Sequence, residues 1–362
     1  MSKKYWVVSR SDLKSVLDVM TEVITNIGDT LNRIIKVSVS GNKFLIFEGV
    51  RGSSYIKQYL RLGNESESGD VIYYIDLYDL VNLVNNIESD DVVIDVSDGM
   101  KVSYMDGYYH FDTFDIDNEY NGIQMDLGVS TRGYTKVGEF DVGAIPYSRL
   151  LKVMGVAEKV KSRSMSIING NAYVSFGFMF LRVKNVDFVD MRFSHQMLKT
   201  LSVLNSGSPI SVFEKGTSED FETYIMFRWG EDYRNYVIFN REDIETETQL
   251  IMDSSLSGAE FFSVDLDKVK KLVSLFAPQS DNVSRVQFKK SKDVLYMHTY
   301  SRHGIESKFK ISGDAICDQP IDFGINVYIL GKIVSVGMET MALVNKDDTR
   351  FFKLDDDVEL LL

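Results

Sequence analysis

The sequence predicts an α+β protein of three tandem domains, and three observations predict it. A strand-then-helix pattern recurs six times, at a mean spacing of about 63 residues. Each helix is followed by short runs of alternating apolar and polar residues, the mark of half-buried strands. Tyr (19) and Phe (22) are abundant and Pro (4) is scarce, a composition that favours sheet. At 362 residues the chain suits two or three domains of roughly 100–150 residues each.

The first unit opens with "YWVVSRSDLKSVLDVMTEVI". A strand over Tyr5–Val8 leads to the cap candidates Ser11 or Asp12, then to a helix. Its stripe is Leu13, Val16, Leu17, Met20, Val23 and Ile24, spaced for one helical face. "DVIYYIDLYDLVNLVNNIE" repeats the pattern: strand Val71–Ile75, cap Asp76, stripe Leu77, Leu80, Val81, Val84 and Ile87. "GEFDVGAIPYSRLLKVMGVAEKVK" is the third copy, with Pro146 suited to a first helical turn. "VDFVDMRFSHQMLKTLSVLN" is the fourth, with Ser194 as cap. "FFSVDLDKVKKLVSLF" is the fifth, with an Asp cap and the stripe Leu266, Val269, Leu272, Val273 and Phe276. "IDFGINVYILGKIVSV" is the sixth, with Asn326 as cap.

Strand runs follow the helices. "IIKVSVSG", "NKFLIFEG" and "SYIKQYLRL" come after the first, and "DVVIDVSD", "MKVSYMDG" and "YYHFDTFD" after the second. "SRVQFKKS", "DVLYMHTYS" and "ESKFKISG" come after the fifth. Turn residues such as "SGNK" and "SDGM" mark antiparallel meanders. The unit is therefore βαβββ, and two units make a domain: 1–125, 135–250 and 255–362. "YNGIQMDLGVSTRGYTK" and "REDIETETQLIMDSSLSG" read as polar connectors. Each helix must bury its stripe on its own sheets, so all helices share one face. Three such domains in an arc put six helices on the inner side and antiparallel sheets outside.

Charge and motifs exclude several functions. One cysteine, Cys317, allows no intrachain disulfide and no Cys-based zinc site. No phosphate-binding glycine loop is present, and His110, His195, His298 and His303 show no metal spacing. "SDLK" at Ser11–Lys14 reads better as a helix cap than as a catalytic Ser-x-x-Lys element. The three carboxylates of "LDDDVE" alternate faces in an extended strand and make poor joint ligands. No enzyme activity, metal or cofactor is implied. The N-terminus lacks a signal-peptide core, and no apolar run of about 18 residues exists, so a cytoplasmic protein without a membrane span is expected. The formal net charge of -13 opposes wholesale coating by nucleic acid, yet Lys268, Lys270 and Lys271 gather on the polar side of the fifth helix.

Three tandem domains of doubled βαβββ units resemble the bacterial-type DNA polymerase sliding clamp, the β subunit of DNA polymerase III. The ends carry the resemblance best. "FFSVDLDKVKKLVSLFA" is similar to the opening of that family's third domain, and "IDFGINVYILGKIVSVGMETMALVNKDDTRFFKLDDDVELLL" to its close. Low Pro with abundant Asn, Asp, Ile, Tyr and Lys would also suit a phage-encoded member.

The resemblance implies a head-to-tail homodimer that closes into a ring around duplex DNA in the cytoplasm, at the nucleoid. It implies no catalysis. Non-specific phosphate contacts would let such a ring slide. The bases on polar helix faces then become lining candidates: Lys14, Arg149, Lys152, Lys159, Lys161, Lys199, Lys268, Lys270, Lys271 and Lys332. Each also reads as an ordinary solvated helix residue. The first domain is poor in such bases, which leaves room for a clamp-fold interaction protein, such as a transcription cofactor, that does not encircle DNA.

Family members bind short hydrophobic peptides of polymerases and clamp loaders. By position the pocket would use Phe176, Phe178, Met179, Phe193, Met197, Val358, Leu360, Leu361 and Leu362. The family's polar "Thr-Asp-Gly-His-Arg-Leu" type segment is replaced here by "SFGFMFLRV". The alternative for the leucines is a buried final edge strand. For the dimer interface the apolar candidates are Phe111, Phe114, Leu275 and Phe276, with ordinary core packing as the alternative.

Overall fold

The computed structural model describes residues 5–24, 33–40, 43–52, 54–63, 71–104, 107–114, 131–140, 164–176, 179–186, 188–204, 209–216, 223–230, 232, 234–256, 262–276, 285–292, 294–300, 306–312, 322–334, 341–346, 349–355 and 358–361. Two compact units result, one from residues 1–142 with 199–241, the other from 143–198 with 242–362.

The first two repeats are β1 (Tyr5–Ser9), α1 (Arg10–Ile24), β2 (Ile34–Ser40), β3 (Phe44–Arg51) and β4 (Ser54–Arg61), then β5 (Ile72–Asp76), α2 (Leu77–Asn86), β6 (Asp91–Asp95), β7 (Lys101–Tyr104) and β8 (Gly107–His110). The middle of the chain gives β9 (Thr135–Phe140), β10 (Ser164–Ile168), β11 (Asn171–Phe176) and β12 (Met179–Val183). It continues with β13 (Met191–Ser194), α3 (His195–Val203), β14 (Ile210–Gly216), β15 (Thr223–Trp229), β16 (Asn235–Asn240) and α4 (Glu247–Leu256). The last two repeats are β17 (Phe262–Val264), α5 (Leu266–Phe276), β18 (Arg285–Ser291), β19 (Val294–Tyr300) and β20 (Glu306–Ser312), then β21 (Asp322–Asn326), α6 (Val327–Val334), β22 (Met341–Lys346), β23 (Thr349–Asp355) and β24 (Val358–Leu361). The predicted third helix, around Pro146, lies outside the described residues.

The sheets show how neighbouring repeats depend on one another. The leading strand of each repeat leaves its own meander and joins that of its partner: β1 pairs with β6, and β5 with β2. The same exchange pairs β9 with β14 and β13 with β10, then β17 with β22 and β21 with β18. A single repeat would leave one strand unpaired and its helix half covered. Meanders also join end to end. Tyr236–Ile238 of β16 pair with Tyr55–Lys57 of β4, giving the order β5-β2-β3-β4-β16-β15-β14-β9. In the other unit β24 pairs with β12, giving β13-β10-β11-β12-β24-β23-β22-β17. Each unit adds a four-stranded sheet, β1-β6-β7-β8 or β20-β19-β18-β21.

The helix caps follow simple chemistry. Asp76 accepts from the Tyr78 N–H, Ser194 from Met197 and Asp265 from Lys268. In the first helix the cap is neither Ser11 nor Asp12. Ser9 Oγ receives the Asp12 N–H at 3.4 Å, because the helix already begins at Arg10. Helix α1 then buries seven residues, Leu13 to Ile24, each fully buried aliphatic side chain being worth about 1.5–3 kcal/mol. It sits close to its sheet because position 49 is glycine: a Cβ there would stand 2.4 Å from Ile24 Cδ1. Gln58, on the same sheet, donates to the Val16 carbonyl at 2.7 Å and locks strand to helix.

One predicted connector is an element. Within 241–258, residues Glu247–Leu256 form α4. Thr248 and Met252, one turn apart, are buried, and Met252 closes a cluster with Ile168 and Tyr173. The other connector lies largely outside the described residues.

Candidate nucleic-acid interface and partner site

Helices α1 and α2 pack side by side in the first unit. The Arg10 side chain donates from Nε to the Val84 carbonyl (2.8 Å) and from Nη2 to that of Asn85 (3.2 Å). The first turn of α1 thus covers open carbonyls in the last turn of α2, and a cation sits at the negative end of that helix. The polar face left outside carries Asp12, Ser15 and Asp18 from α1, and Asp79, Asn82, Asn85 and Asn86 from α2. Lys14 stands among them, but its Nζ is engaged by Asp18 Oδ1 (3.1 Å) and Asn85 Oδ1 (2.9 Å). Burial, then the neighbouring Asp76 carboxylate, pushes the Asp79 carboxyl above its ordinary value, against the pull of Arg33.

Helices α5 and α6 pack likewise in the second unit, and the outward face of α5 mixes bases with carboxylates. Leu266, Val269 and Val273 are buried, and so are Val327, Leu330 and Val334. Gly331 permits the approach, since a Cβ there would lie 3.3 Å from Val273 Cγ1. Asp267, Lys268, Lys271, Ser274 and Leu275 face outward. Lys270 does not share this face. Two residues from Lys268 is roughly 200° around a helix, and Lys270 is half-buried at the flank with an interaction of its own. Lys268 pairs with Asp265 at 2.9 Å. The Lys268 side chain, then its backbone N–H, then the Lys271 charge hold the Asp265 carboxyl below its ordinary value.

Of the other predicted bases, Lys199 lies on α3 and Lys332 on α6, while Arg149, Lys152, Lys159 and Lys161 lie outside the described residues.

The C-terminal residues are not an edge strand. Leu360 faces Leu181 on one side and Phe352 on the other, so Val358, Leu360 and Leu361 belong to an interior strand of an eight-stranded sheet. Glu359, at the same strand's centre, is buried and takes Arg182 Nε (2.7 Å) and Lys184 Nζ (2.5 Å); Arg182 also reaches Asp253 on α4. Phe193 and Met197 are fully buried, the former against Phe188. They can form a floor for a pocket but offer no surface. Phe176 and Met179 face each other at a hairpin end. Phe178 and Leu362 lie outside the described residues. Sequence reading missed α4, whose Ile251 packs, like half-buried Phe180, against the Ile168–Tyr173–Met252 cluster and whose Leu250 is left 66% exposed. The spacing of Thr248, Ile251 and Met252 carried the signal, hidden behind the carboxylates of "EDIETE".

At the proposed dimer interface, Phe111 is 2% exposed and packs edge-on against Tyr109, while Leu275 is 54% exposed. Phe114 is half-buried, and Phe276 ends α5. The more exposed apolar surface nearby is β8, an edge strand among the described residues, with Tyr108 at 70% and Tyr109 at 41%. Edge strand β20 exposes Glu306, Lys308 and Lys310.

Among the described residues, no group of His, Cys, Asp and Glu could hold a metal ion, and no helix is long and apolar enough to cross a membrane.

No protein-family model matches the sequence, and neither does any curated protein. Solved structures do match in fold. The DNA polymerase III β subunit of Thermotoga maritima superposes with a TM-score of 0.74 at 10% identity, over 99% of this chain and 98% of that one. The DNA polymerase sliding clamp of Pseudomonas aeruginosa gives 0.72 at 12%, over 99% and 98%. The Helicobacter pylori β clamp bound to a DNA ligase peptide gives 0.69 at 10%, over 99% of both chains. The fold of this chain, end to end, is that of the bacterial β sliding clamps. Little of their sequence is retained.

Proposed function

We propose that this protein is a DNA sliding clamp, a non-enzymatic processivity factor that closes around duplex DNA as a head-to-tail homodimer. The observation that carries the reading is the full-length fold match to β clamps together with a helix face that bears Lys268 and Lys271 in a chain of net charge -13. Exposed ammonium groups on a rigid helix attract phosphates without choosing sequence. The acidic remainder of the surface discourages DNA elsewhere. The three-domain division, 1–125, 135–250 and 255–362, belongs to this reading, as do a cytoplasmic location and a polymerase and clamp loader as partners. Free strands β8 and β20 supply edges suited to pairing between copies. A partner peptide would dock where β24, Phe180 and α4 meet, with Leu250 and Ile251 as apolar contacts.

A second reading has one specific observation in its favour. The polar face of α1 and α2 carries carboxylates and amides, with its one lysine already paired. A clamp-fold interaction protein that never encircles DNA would have no need of bases there. Light scattering at micromolar concentration, followed by retention on circular against linearised DNA, separates the two. A mass near twice 41.3 kDa with retention on circles alone is expected. A monomer that binds neither form favours the second reading.

A further inference from the structure

The eight-stranded sheet of the first unit has one face on α1, through Gln58 and Gly49. On the opposite face, cross-strand registers align the row Ser211–Arg228–Tyr236–Lys57–Glu48–Lys36. Paired residues of an antiparallel ladder point the same way, so this row is one surface. Beside it, Tyr55, Met226, Tyr236 and Ile238 form a buried cluster.

Cations stand over rings in and around this cluster. Arg228 Cζ is 5.5 Å from the Phe213 ring and 5.8 Å from that of Tyr236, and Lys215 Nζ is 5.7 Å from that of Tyr134. The one carboxylate inside the row, Glu48, is already satisfied by Lys57 (3.1 Å), Lys36 (3.4 Å) and the Tyr55 hydroxyl (2.5 Å). Among the described residues, the Nε of Arg228 is buried without a hydrogen bond. Asn240 Oδ1, on the same face two register steps along β16, is buried and unpartnered as well. An orphaned buried donor and acceptor each carry a cost that a ligand removes.

We propose that this face docks an acidic, extended peptide segment of a partner protein, with a carboxylate on Arg228 and a backbone N–H on Asn240. Four residues of β16 separate Tyr236, the neighbour of Arg228, from Asn240, about 13 Å in a strand, which a segment of similar length spans. Single-stranded nucleic acid fits less well. Base stacking needs bare ring faces, and here Arg228 and Lys215 lie over them. The proposal is independent of the clamp reading.

Fluorescence anisotropy on the full chain tests it, with labelled oligoglutamate and labelled oligothymidylate as probes. Oligoglutamate is expected to bind, and Arg228→Gln to weaken it about tenfold, the loss of one charge-assisted contact. Lys215→Glu, at the half-buried margin, should weaken it too, and decides alone if Arg228→Gln disturbs the near-UV dichroism. Lys101→Glu, in the other sheet of the unit, should change nothing. No oligoglutamate binding, or binding that neither variant weakens, overturns the proposal. So does tighter binding of oligothymidylate that Arg228→Gln abolishes, which would place nucleic acid on this face.

Discussion

The helix pairs α1/α2 and α5/α6 share a scaffold and differ in what they show to solvent. Both follow a short strand, both bury aliphatic stripes, and both approach closely through a glycine, Gly49 beneath α1 and Gly331 within α6. The first pair exposes Asp12, Asp18, Asp79, Asn82 and Asn85 around a single lysine, Lys14, whereas α5 exposes Lys268 and Lys271 beside Asp265 and Asp267. The buried stripe is constrained by packing and the outward face is not. Repeats that diverge therefore keep the first and reassign the second. If the clamp reading holds, DNA contact is carried unevenly around the ring.

The largest effect should come from inverting that difference. Lys268→Glu with Lys271→Glu should weaken DNA retention about tenfold to a hundredfold at low salt. The slope of log K against log salt should fall by about 1.8, for two phosphate contacts. Urea melting should move only slightly, through loss of the exposed Lys268–Asp265 pair. Asp18→Lys with Asp79→Lys should strengthen retention by a smaller factor. An unchanged salt slope in the first variant would mean that α5 does not face DNA.

A smaller effect separates the two glycines. Gly49→Ala forces a Cβ to 2.4 Å from Ile24 Cδ1, and overpacking of that kind costs about 1–3 kcal/mol. Gly331→Ala meets Val273 at 3.3 Å, a contact that small shifts relieve, and alanine gains about 1 kcal/mol of helix propensity. Urea melts should show a clear loss for the first and near neutrality for the second. Equal losses would mean that Val273 gives way no more easily at Gly331 than Ile24 does at Gly49.

The sequence showed the helices well and the sheets poorly, for a physical reason. Caps and stripes are local, so Asp76, Ser194 and Asp265 could be read directly, and the strands read after the first, second and fifth helices fell close to their places. Pairing partners are not local. Nothing in Tyr5–Ser9 says that it belongs beside Asp91–Asp95, or that Val358–Leu361 runs between β12 and β23. Helix α4 was missed because carboxylates surround its two buried residues. At the candidate sites, residue types were legible but direction was not. Lys270 turns aside at the helix flank, and Phe193, Met197 and Phe111 are spent on the core. The row through Arg228 emerges only when strands some 180 residues apart are laid side by side.

The smallest effect is a pH response of opposite sign at the two helix pairs. Asp265 binds its proton less readily in the folded chain than the ordinary 3.8, so its ionised form favours folding. That contribution is complete above 3.8 and is lost as pH falls through the lowered value. Asp79 is shifted upward from 3.8 by burial and by Asp76, so its ionised form opposes folding. That penalty is complete at neutral pH and is relieved as pH falls from the raised value toward 3.8. Acidification should therefore first ease the α1/α2 pair and only later weaken the cap of α5. Both carboxyls are largely in solvent, so salt will damp the two shifts. At neutral pH, Asp79→Asn should raise the melting temperature slightly and Asp265→Ala should lower it. Carboxyl titrations followed by NMR should place Asp79 above 3.8 and Asp265 below it. Midpoints in the reverse order would refute the contrast in local charge, and with it the view that the α1/α2 face repels what the α5 face attracts.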